Sequence, residues 1–107
     1  MFNIYPCFPE SMPEKRQKEV EKFFQTCEMS RIHESLWKEI QQYAGVSFNE
    51  LIVKRITLKD IKKIQSTLDE YFRRNCQLLD YERIYALSKV IYFCNLSIHY
   101  NCTWEVY

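Results

Sequence analysis

The sequence predicts a mainly α protein: a single domain over residues 1–107, built as a compact bundle of four to five helices with a small β element at the termini. Two observations lead there. Helix-opening signals recur along the chain, each followed by apolar residues three and four positions apart. The last ten residues then change to a strict period of two, which is the spacing of a strand.

The first helix is expected to open at Ser11-Met12-Pro13-Glu14, which combines a capping box with a proline in the first turn. Val20, Phe23, Phe24 and Cys27 then share one face, and Glu14, Lys15, Lys18, Glu19 and Lys22 occupy the solvated one. Ser30 is placed to cap a second helix carrying Ile32, Leu36, Ile40 and Tyr43. Gly45 closes it as the left-handed residue, with Val46 supplying the apolar contact that often follows. Ser47-Phe48-Asn49-Glu50 is a further capping box. Phe48, Leu51, Ile52, Arg55 and Ile56 follow at helical spacing, so a third helix is expected over 47–56, with a strand through 51–58 as the weaker reading.

Thr57 caps the next helix, whose stripe is Ile61, Ile64, Leu68, Tyr71 and Phe72 and whose end falls near Asn75. Asp80 opens the last, running to about residue 96. Its apolar residues cover nearly the whole circumference, which is expected of a helix central to the fold or at an interface. From Ile98 to Val106 apolar and polar residues alternate. A strand over about 98–106 follows, and because a lone strand leaves its ladder unpaired it needs a partner, either residues 2–5 or another chain.

A chain of 107 residues buries roughly two-thirds of its unfolded surface without disulfide help. Fifteen Lys/Arg against fourteen Asp/Glu give a net charge of +1, not the strongly basic balance of a dedicated DNA-binding domain. The N-terminus does not read as a signal peptide, and the longest apolar run, Val90–Cys94, is too short to span a bilayer. A cytoplasmic protein with no membrane association is therefore expected. In a reducing compartment Cys7, Cys27, Cys76, Cys94 and Cys102 are free thiols packed as small hydrophobes, and the sequons at Asn95 and Asn101 have no role.

Enzymatic chemistry finds little support. One glycine cannot build a phosphate-cradling loop. Cys76, Cys94, His99 and Cys102 lack the short knuckle spacing of common zinc sites, and His33 and His99 sit in no nucleophile–base motif, so no metal, cofactor or catalytic residue is expected. Asp60, Asp69 and Asp80 are scattered and do not form a metal-binding cluster.

Two binding surfaces compete for the function. From Ile84 onward only Lys89 and Glu105 are charged, while six aromatics are present. Tyr and Trp join large apolar area to a polar handle, so Tyr92, Tyr100, Trp104 and Tyr107 are the expected anchors for another protein. The expected function is a non-enzymatic, intracellular protein-binding module, a stoichiometric inhibitor of the immunity or antitoxin type. The alternative is a small helical nucleic-acid-binding regulator that uses Lys54, Arg55, Lys59, Lys62 and Lys63, with Tyr43–Ser47 looking like the turn of a helix-turn-helix. A homodimer paired through the C-terminal strand is a third arrangement.

Overall fold

The computed structural model describes residues 4–27, 32, 34–45 and 54–106, the side chains of Lys54 and Val106 excepted. Among these the chain runs β1 (Ile4–Cys7), α1 (Glu14–Gln25), α2 (Glu34–Ala44), β2 (Lys54–Ile56), α3 (Leu58–Asn75), α4 (Tyr81–His99) and β3 (Thr103–Val106). The protein is mainly helical with a small β element, as its sequence predicts.

The sheet is antiparallel with β3 in the middle, in the order β1-β3-β2. Pro6, Trp104 and Ile56 form one row across it, and Tyr5, Glu105 and Arg55 form the next. Successive rows point to opposite faces. Trp104 and Ile56 accordingly enter the core, while Arg55 pairs with Glu105 on the outer face at 3.3 Å.

Three expectations are corrected here. Residues 54–56 are a strand, not the end of a helix, because a central β3 offers a ladder on both edges and Ile56 gains a buried place opposite Trp104. The rest of the expected third helix, 47–53, lies outside the described residues, as do Ser30, Val46, His33 and residues 2 and 3. The C-terminal strand begins at Thr103, since α4 continues through Ile98 and His99. It stops there in a left-handed turn: Asn101 has φ 56°, its N–H donates to Ile98 O, and Cys102 N–H donates to Ser97 O at 2.8 Å. Lastly, Ser11 does not cap α1. A residue preceding proline disfavours helical backbone, so Met12 closes a turn onto Pro9 O, Pro13 stays extended, and the helix starts at Glu14. The Gln17 amide then donates to Met12 O at 2.9 Å.

The other expected ends stand. Gly45 takes φ +66° after α2. Thr57 accepts from Asp60 N–H, and Asp80 accepts from Arg83 N–H at 2.9 Å. α3 and α4 form a hairpin across residues 76–80, and α4 also packs on α1 and α2, so it occupies the centre. An edge-to-face aromatic row threads the core from Phe8 through Phe24 and Phe93 to Trp104, with centroids 6.0, 5.1 and 5.3 Å apart. That row, with Ile61, Ile64, Leu68, Leu87 and Val90 fully buried around it, accounts for part of the aromatic excess. Among the described residues no helix is long and apolar enough to cross a membrane.

Candidate protein-binding surface

The four expected anchors part company in the structure. Trp104 is 0% exposed. Its indole N–H donates to Ser97 Oγ at 2.7 Å, and Ser97 in turn donates to Phe93 O at 2.8 Å, so the tryptophan is a satisfied core residue that no partner reaches in this fold. Tyr107 lies outside the described residues. Tyr100, at the end of α4, is half-buried, stacked against Phe23 with 10° between the rings and with the Arg16 guanidinium 5.8 Å from its centroid. Of the three that are described, only Tyr92 stands well into solvent, at 44% exposure.

Two other exposed hydrophobics were passed over by sequence reasoning. Leu78, in the turn between α3 and α4, is 84% exposed, and Tyr81, the first residue of α4, is 80% exposed. On a helix of 3.6 residues per turn, Tyr81, Tyr85 and Tyr92 fall within about 40° of one another. They form a stripe rising about 16 Å along the outer face of α4, with Ser88, Asn95 and His99 beside it. None of these is a carboxylate. Lys89 flanks the stripe, donating to Thr26 O at 3.3 Å with its ammonium 5.2 Å from the Tyr85 ring. Phe23 is 45% exposed, although its spacing puts it with the core residues of α1, and its stack on Tyr100 lies at the far end of α4 from Leu78. The spacing 81, 85, 92 was available in the sequence. What masks it there is that α4 is apolar all round, so periodicity does not say which side is left uncovered.

The expected basic surface is also redistributed. Arg55 is held by Glu105 on the sheet, and the Lys54 side chain is outside the described residues. Lys59, Lys62 and Lys63 are exposed on the outer side of α3. Because β2 follows directly on residue 53, no recognition helix extends through 54–56 behind the Gly45 turn.

The strongest polar cluster is structural. Arg83 on α4 makes a two-pronged ion pair to Glu39 on α2, with both contacts at 2.7 Å, and reaches Asp80 as well. The Tyr43 hydroxyl donates to Glu39 at 3.1 Å, and its ring stacks on Tyr71 at 3.9 Å. Arg83's hydrogen bonds hold the Glu39 carboxyl below its ordinary value despite partial burial, while burial and the Tyr71 and Glu39 contacts push the Tyr43 hydroxyl up. Burial likewise raises the thiols of Cys27 and Cys102 to about 11, and that of Cys94 further. Such thiols remain protonated and unreactive near neutral pH. Cys76 and His99 stand at opposite ends of the hairpin, separated by the whole of α4, about 28 Å. Among the described residues no three His, Cys, Asp or Glu are grouped to hold a metal.

Compared with known proteins, the chain matches no protein family, no curated protein and no solved structure, so its function is argued from this geometry.

Proposed function

We propose that the protein is a binding module that acts by contacting another protein through the α3–α4 turn and the outer face of α4, as a stoichiometric inhibitor of the immunity or antitoxin type. The observation that carries this reading is the apolar stripe Leu78, Tyr81, Tyr85, Tyr92. It puts Tyr81, 80% exposed, in line with Tyr92 on one face of α4, with Leu78 exposed in the turn that precedes it. Contiguous exposed apolar area of this kind marks interaction sites, and tyrosines supply much contact area while losing few rotamers. A convex helix face suits a partner with an apolar groove, which would read positions i, i+4 and i+11 as anchors. Of the expected anchors this reading keeps Tyr92, and Leu78 and Tyr81 take the place of Trp104.

The test compares wild type with a Leu78→Ser/Tyr81→Ser/Tyr92→Ser variant, all three exposed and away from the core, as baits in lysate of the native host. The reading expects one protein recovered at equal stoichiometry with wild type and lost with the variant, and expects that protein's activity to fall to its floor at one molar equivalent. Equal recovery on both baits contradicts it.

A further inference from the structure

We propose a second contact site, distinct from the α4 stripe: Lys59, Lys62 and Lys63, in the first two turns of α3, hold the phosphate backbone of a nucleic-acid duplex. The charges on α3 are sorted in a way that helix stability alone does not favour. The N-terminal end of a helix carries partial positive charge and is stabilised by acids, yet Lys59 stands in the first turn and Lys62 and Lys63 follow in the second. Lys59 and Lys63 are four residues apart, where like charges repel on a helix surface. No described carboxylate forms an ion pair with any of the three. Asp60, between them, accepts from the Thr57 hydroxyl at 3.1 Å and belongs to the helix cap. The remaining acids of the helix are committed at its other end, Asp69 to Arg73 at 3.1 Å and Glu70 to Arg74 at 2.6 Å. One end of α3 is thus neutralised by its own i,i+4 pairs, and the other carries three lysines against the single Asp60.

The surroundings favour phosphate over the alternatives. Lysine is depleted in protein–protein interfaces, and among the described residues no exposed large hydrophobic interrupts the cluster to anchor a protein. Single-stranded nucleic acid would call for aromatic platforms between the cations; the outer positions here are Lys59, Lys62, Lys63 and Ser66. What remains is a sequence-independent contact of point charges with a duplex backbone, weak and steeply dependent on salt.

The experiment measures anisotropy of a labelled 20-base-pair duplex of random sequence with the full chain between about 20 and 200 mM KCl. Three phosphate contacts predict a log–log slope of about −2.7, each Lys→Gln change at 59, 62 or 63 moving it by about 0.9 towards zero. The triple variant is expected to lose binding, and the Tyr81→Ser/Tyr92→Ser variant to keep it, which separates this site from the α4 stripe. Thermal unfolding of the triple variant should be unchanged or higher, since only repulsion is removed. Absence of binding at 20 mM KCl, a slope indifferent to the three substitutions, a lowered unfolding temperature, or equal competition by poly-glutamate would each overturn the proposal, the last in favour of an acidic protein.

Discussion

Trp104 shows how far a residue's type can mislead about its role. Tryptophan at the end of a low-charge, aromatic segment has the profile of a binding anchor, and alternation along the tail correctly separates it from Glu105. Alternation does not tell which face is covered. That is decided by Ile56 and Pro6 across the sheet and by Phe93 on α4, none of them neighbours in sequence. Burial also obliges the indole N–H to find an acceptor, and Ser97 is placed for that in α4. Ser97→Ala should therefore destabilise the fold by about 1–3 kcal/mol, the cost of an unsatisfied buried donor. Urea unfolding measures this directly. A loss within about 0.5 kcal/mol, the range usual for surface substitutions, would mean the hydrogen bond contributes nothing specific.

At the scale of elements, α3 and α4 were legible because their determinants are local: Thr57 and Asp80 cap them, and the three- and four-residue stripe of α3 faces the core. β2 was legible only as the weaker of two readings, since three residues gain a strand only from a ladder with β3, far along the chain. The end of α4 was obscured by Asn101, which takes the left-handed turn in place of the glycine that would have announced it, while the alternation from Ile98 continues across the boundary by coincidence. The ion pair between α2 and α4 joins two elements and predicts a pH dependence. Folding lowers the Glu39 carboxyl below its ordinary value, first through the hydrogen bonds from Arg83 and further through that from Tyr43. The unfolded chain, titrating near about 4.3, then binds more protons than the folded one in the window below that value, so stability rises with pH across it. The contribution is complete above the ordinary value and is lost as pH falls through the folded one. Glu39→Gln removes the titrating group, so wild type should exceed the variant in stability at about pH 6, with the gap closing towards about pH 3 in matched denaturation curves. A gap independent of pH would mean that the carboxylate's charge is not what joins the two helices.

Over the whole molecule, a net charge of +1 conceals segregation. One aromatic row fills the core, one cation cluster begins α3, and one apolar stripe follows the hairpin turn and the outer side of α4. The aromatic surplus was readable from composition, but its division between core and surface was not. That division places Phe24, Phe93 and Trp104 inside, and Tyr81 and Tyr92 outside. The measurement that reaches the central claim most directly is photo-crosslinking in the native host, with benzoylphenylalanine replacing Tyr81 or Tyr92 on the stripe, or Glu14 on the exposed side of α1. The account predicts one defined protein adduct, the same from positions 81 and 92, and none from position 14. Adducts of equal yield and identity from all three positions, or a defined adduct from position 14 alone, would show that the outer face of α4 is not where this protein meets its partner.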